Sequence, residues 1–263
     1  ACGGGAKPTR DNQFNMKQRV SVIPVFMPPP IVPFPHRIAI VPIAGSLDNA
    51  VNSWLDLTLN FLRTRHRELV LVEREDLRTV LNEVGIQYGG QVDDDTTIRV
   101  GKLVGADSLL TYRMILPEDS PSVSAAFELR LLTVESGTTA FRQMTSANYT
   151  SSEVLAATIP PNKSKPLNRR LAIEGAAAYG LSALTAAFGD NPLGVVSDYT
   201  WTGGGIKLID VLQGGPALRA GLKPGDQILK FNGQSLGSWA DPVSLPAHLT
   251  VSRDGESMEI SIR

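Results

Sequence analysis

His36, His66 and His248 are the only imidazoles in a chain of 263 residues, and its single thiol, Cys2, lies at the very start. A zinc ion needs nitrogen, sulfur or carboxylate ligands converging at fixed spacing, and the sequence offers no HExxH, no paired histidines and no second cysteine. Serine-based acyl transfer would need a Gly-x-Ser-x-Gly elbow, and phosphate binding a glycine-rich loop ending in Gly-Lys-Ser/Thr; neither occurs. Asp93-Asp94-Asp95 lacks the alternate spacing and closing glutamate of a calcium loop, so Asp95 before Thr96-Thr97 reads as a helix N-cap. The side chains therefore predict no catalysis, no metal and no cofactor.

Composition narrows the partners. With 25 basic and 26 acidic residues the chain lacks the surplus of lysine and arginine that wraps nucleic acid. A hydrophobic share of 42% is ordinary for a globular protein of one large or two modest domains. The longest apolar run, Gly175 to Phe188, falls short of the roughly 20 residues of a membrane-crossing helix. With one cysteine no intrachain disulfide can form.

These residues need elements to position them. From Gly3 to His36 the chain has no clear period and carries six prolines between Pro24 and Pro35, which predicts an extended tether over residues 1–35. Its apolar members, among them Val25, Phe26, Met27, Ile31 and Val32, predict that it lies against its own domain or a neighbouring subunit.

Residues 36–189 then alternate strand and helix. A strand spans Arg37 to Ile43, a helix begins near Asp48, and a short strand spans Leu69 to Val72. Helices around Leu77 to Val84 and after Asp95 follow, then the strand Ser108 to Ile115. A hairpin pairs Ala125–Leu131 with Thr138–Thr150, with one wet face. A polar loop at Ile159 to Pro166 precedes an Ala- and Gly-rich helix from about Leu167 to Phe188. The fold class is α/β (α+β). Asp190-Asn191-Pro192 marks a boundary, and 190–263, with their short strands and many glycines, predict a small β-rich module.

Three resemblances add to this. Ala1-Cys2 followed by Gly3-Gly4-Gly5 resembles the lipobox of bacterial lipoproteins, which implies that Cys2 is the lipidated N-terminus of a mature protein and that Gly3 is compatible with sorting to the outer membrane. An expression scar or a stray thiol is the alternative. The run from Ile206 to Gly233, with Gly214-Gly215-Pro216-Ala217, Ala220-Gly221-Leu222-Lys223-Pro224-Gly225-Asp226 and Asn232-Gly233, closely resembles a PDZ domain. That resemblance implies that Leu193, Gly194, Val195 and Val196 form the loop and strand that take a peptide's terminal carboxylate by β-augmentation. Between Leu236 and His248, where a PDZ domain carries a groove-lining helix, Gly237, Pro242 and Pro246 leave little room for one. Both a peptide-binding and a purely structural or oligomer-contacting PDZ therefore stand.

The first domain is similar to the CsgG-type curli assembly lipoprotein family through Ile38-Ala39-Ile40-Val41-Pro42, Val72-Glu73-Arg74, Gly89-Gly90-Gln91-Val92-Asp93 and Gly101 to Asp107. Where that family's membrane hairpins would extend, Leu116 to Ser124 and Tyr149 to Lys165 are short, polar and proline-broken, so no pore is expected from this chain alone. Together the resemblances imply a bacterial cell-envelope lipoprotein held at the outer membrane by its N-terminal lipid and facing the periplasm. It would act as a non-enzymatic scaffold or assembly and export factor, in a homo-oligomeric ring. The alternative is a PDZ-based adaptor that brings protein C-terminal tails to envelope machinery, or activates a protease or cell-wall synthase.

Overall fold

A computed structural model describes residues 20–22, 24–42, 49–72, 74–83, 94–116, 122–150, 161–198, 201–237 and 243–263. Cys2, Val84, Gly89 to Asp93 and most of the two stretches expected to lack membrane hairpins lie outside them.

The first sheet has six strands in the order β1-β6-β5-β4-β2-β3: β1 Val20–Val22, β2 Arg37–Pro42, β3 Val70–Leu71, β4 Ser108–Ile115, β5 Ser122–Thr133 and β6 Thr139–Thr150. β2 runs parallel to β3 and β4, and the remaining pairs are antiparallel. Alternation along β2 sends Ile38 and Ile40 to one face and Ala39 and Val41 to the other, and both faces are buried. On the first face lie α1 (Asn49–Arg65), through Leu55 and Leu59, and the long helix α4 (Pro161–Ala187), through Ala177 and Leu184. On the second lie α2 (Arg74–Glu83), through Leu77 and Leu81, and α3 (Asp94–Leu103), through Val100.

The hairpin strand is longer than read, Ser122–Thr133 against Ala125–Leu131, and two helix starts differ from the sequence reading. α3 starts at Asp94, so Asp95 sits inside the first turn instead of capping it. α4 starts at Pro161, so Pro161 to Pro166, read as loop, are helical. Proline fits the first turn because its missing N–H has no partner there, which is why Pro161 opens a helix. Every residue of α4 from Ala172 to Ala187 is buried. Over that stretch the helix is apolar nearly all round because it is enclosed all round. A Cβ on Gly180 would come within 2.7 Å of the Phe127 ring, so glycine is what lets α4 close on β5.

The second sheet has the order β12-β11-β9-β8-β7: β7 Val195–Ser197, β8 Ile206–Val211, β9 Gln227–Phe231, β11 Ala247–Arg253 and β12 Glu256–Ile262. A two-residue strand, β10 (Gln234–Ser235), pairs with β9, and a single turn of helix, α5 (Pro216–Arg219), follows β8. Leu193, Leu208, Ile228, Leu249 and Val251 form its core. The expected Asn-Gly turn is present, with φ of 49° at Asn232 and 81° at Gly233, as a type I′ hairpin requires. Asp226, 1% exposed, is held by a fork from Arg253, with Nε and Nη2 each at 2.7 Å.

The two modules share one core. Val196 and Leu212 of the second pack in the same cluster as α1 and α4 of the first, and the Tyr179 hydroxyl donates to Asp210 at 2.6 Å. The tether binds both. β1 extends the first sheet, the Val25 carbonyl accepts from Gln213 N–H at 2.8 Å, Met27 N–H donates to the Gln213 carbonyl at 2.9 Å, and Ile31 N–H reaches the Ala187 carbonyl at the end of α4. Val25 and Ile31 are buried as expected, while Phe26 and Val32 stay 69% and 82% exposed.

Candidate functional site

The loop that heads β7 is where backbone geometry could do recognition. Gly194 has φ of 72°, and a Cβ there would meet Met27 Sδ at 3.0 Å and Gly215 Cα at 3.3 Å. Both the left-handed backbone and the crowding demand glycine. The Gly194 carbonyl accepts from Leu212 N–H at 2.7 Å, which places residue 194 in a hydrogen-bonded pair with β8. Alternation in an antiparallel ladder then turns the N–H and C=O of Val195 to the opposite, outer edge, the edge a docked peptide would use.

That edge is taken. Asn191 Oδ1 accepts from Val195 N–H at 3.1 Å and from Gly194 N–H at 3.2 Å. Its Nδ2 donates to the Val195 carbonyl at 2.8 Å and to the Ser182 carbonyl of α4 at 3.2 Å. The side chain is buried, its residue 8% exposed, and both of its polar atoms are satisfied. Leu193, Val195 and Val196 are buried as well, at 0%, 5% and 0% exposure. On the far side of Asn191 stand α4, through Ser182 and Thr185, and α1, through Phe61. Between them and Val195 remains a cavity of about 30 Å³. By the usual measure of about 10–15 Å³ per water that is room for a water or two, not for an added strand. A helix of the first module thus walls the groove whose own helix the sequence does not supply.

Two further features stand apart from the loop. Glu128 on β5 lies between Arg113 Nε at 2.6 Å and Arg142 Nη2 at 2.8 Å. Burial pushes the Glu128 carboxyl up, but the hydrogen bonds from Arg142 and Arg113 and their charges outweigh it and hold the group below the usual carboxylate range. A larger cavity of about 470 Å³ lies beside the tether, lined by Pro33, Phe34, Lys102 and Asp107. Asp107 there accepts from the backbone N–H groups of His36 and Arg37 at 2.8 and 3.0 Å, fixing the start of β2.

Of the histidines, His66 pairs with Asp190 at 2.6 Å and His248 with Ser261 at 2.9 Å. Among the described residues no group of His, Cys, Asp and Glu could hold a metal ion, and no helix is long and apolar enough to cross a membrane. Asn191 escapes the sequence reading, in which Asp190-Asn191-Pro192 is only a boundary turn. The usable signal is an asparagine three residues before the loop glycine, the spacing at which a side-chain carbonyl folds back onto backbone amides.

Residues 183–242 match the family model of the PDZ domain, so the C-terminal module is a PDZ domain joined to an α/β module. No curated protein matches the chain. Among solved structures it is similar to the LpoB C-terminal domain from Salmonella enterica at 16% identity, over 42% of this chain and 81% of that one, with a TM-score of 0.32. It is also similar to lipoprotein GNA1162 from Neisseria meningitidis at 15% identity, over 51% and 98% of the two chains, with a TM-score of 0.32. The HtrA-type protease AlgW with decapeptide follows at 16% identity, over 53% and 48%, with a TM-score of 0.24. Likenesses this low carry no argument about function, and nothing in them supports the CsgG-type assignment of the first module.

Proposed function

We propose that this protein is a non-enzymatic adaptor or activator of the bacterial cell envelope, anchored through lipid on Cys2 and facing the periplasm, that works by docking a protein partner. The α/β module is assigned to 36–189 and the docking module to 190–263; Leu193, Gly194, Val195 and Val196, its expected peptide-binding segment, can take a peptide only where Asn191 gives up the Val195 edge, so docking on another face of the module is the favoured reading. The observation that carries the reading is the PDZ domain built onto an α/β body through a shared helix. The partner class that suits it is an envelope protease or a cell-wall synthase. Replacing Cys2 by alanine is expected to move the protein from the membrane fraction to the soluble one. Imaging and mass measurement of the purified lipoprotein separate this reading from the ring-shaped scaffold. Monomers that bind a purified protease or synthase uphold the adaptor, and closed symmetric rings of this chain alone overturn it.

A further inference from the structure

The polar groups around Asn191 are complementary to one chemical class. We infer that the Asn191 carboxamide is the resident ligand of the PDZ loop, and that the loop as built selects a neutral primary carboxamide over the carboxylate such loops can receive. Two N–H donors, of Gly194 and Val195, converge on Oδ1, and two carbonyl acceptors, of Val195 and Ser182, converge on Nδ2. Reversing the amide would set NH₂ against two N–H groups, so the network itself fixes its orientation. A carboxylate has acceptors only. Its first oxygen would suit Gly194 and Val195, but its second would face the Val195 and Ser182 carbonyl oxygens, leaving the buried Val195 carbonyl without a donor and setting negative charge against a Ser182 carbonyl that keeps only the Thr185 hydroxyl, at 3.0 Å, as a side-chain donor. The Ser182 carbonyl belongs to α4, so the selecting group is contributed by the α/β module. The PDZ loop is therefore a receptor already filled from within, and its ligand joins the two modules.

The inference rests on the PDZ reading of the loop and not on the adaptor reading, which the imaging experiment decides separately. Its test uses the full chain with Asn191→Ala, which empties the carboxamide position. The variant is expected to lose on the order of 5–10 °C in Tm, because the buried Val195 N–H and C=O are left unpaired, while Gly194 N–H keeps the Asn191 backbone carbonyl and the Ser182 carbonyl keeps the Thr185 hydroxyl. Formamide should restore that loss in a saturable way, as a bound ligand does, while formate at matched ionic strength should not, and the parent chain should respond to neither. Equal or better rescue by formate overturns the carboxamide preference, and a folded variant that responds to neither probe overturns the ligand site itself. Asn191→Asp provides a second route. Only the protonated form of the carboxyl introduced there can donate to a carbonyl, so its folded-state pKa is raised. Measured as the difference from the parent chain, so that the loss from Glu128 in acid cancels, stability is then expected to be highest below the ordinary aspartate pKa and to fall as pH rises through the folded value. The opposite slope overturns the inference. Should neither variant fold, hydrogen exchange on the parent chain decides. Gly194 and Val195 amides are expected to be as protected as those of β8, and exchange as fast as an open loop overturns the assignment. Saturable shifts of those two amides on adding a peptide with a free apolar C-terminus would overturn it too, while upholding peptide capture by the loop.

Discussion

Glu128 and Asn191 are both buried polar side chains between two elements, yet they are satisfied by opposite means. Glu128 takes its partners from side chains, Arg113 and Arg142, that are 43% and 61% exposed. Asn191 takes all of its partners from backbone groups of buried segments. A charged centre with long, half-exposed partners can relax when one member is lost, since the freed guanidinium groups turn to water. A neutral centre bound to fixed backbone cannot, because the N–H and C=O of Val195, orphaned by its loss, stay buried. The difference teaches that in this molecule the junction of the modules, and not the ionic ladder on the first sheet, is the unforgiving part.

The comparison can be broken most forcefully at the loop glycine. Gly194→Val imposes a β-branched residue at φ of 72°, against Met27 and Gly215, and should cost about 3 kcal/mol or more in urea unfolding. A loss smaller than that of any change at Glu128 would reverse the ranking. Glu128→Ala should cost roughly 1–2 kcal/mol, because its two arginines reach solvent. The same carboxyl sharpens the contrast through pH. Its folded value lies below the ordinary 4.5, so its contribution is present above that value and lost as pH falls through the folded one. Unfolding midpoints measured down a pH series should drop in the parent chain more than in Glu128→Gln. Tyr179→Phe, which removes only the hydroxyl bond to Asp210, should cost about 1 kcal/mol. Phe26→Ser, on the outer face of the tether, should stay within about 0.5 kcal/mol of the parent, since that ring is 69% exposed.

Much of this arrangement is legible from residue pattern. The strand Ser108–Ile115 can be placed to the residue because an apolar run between Asp107 and a polar loop has no other use in an alternating chain. The PDZ turn chemistry, from Gly214-Gly215-Pro216 to Asn232-Gly233, likewise declares its strands. Helix α4 is legible as a close-packing helix but not in extent, since Pro161 and Pro166 read as breakers when seen without the helix around them. The resident ligand is not legible as such. Asn191 looks like any turn asparagine until α4 brings the Ser182 carbonyl beside it, and that approach depends on packing between segments that periodicity treats separately. The tether is half legible. Its apolar residues announce burial, but the bridge between Phe26 and Gln213 that ties it to the second module has no local signature.

Calorimetric unfolding of the full chain bears most directly on the claim that Asn191 and α4 make the two modules one body. A single transition that Asn191→Ala and Tyr179→Phe shift as a whole is expected. Two separate transitions, with the α/β module melting at the same temperature in parent and variants, would show that the junction is a mere contact between independent domains.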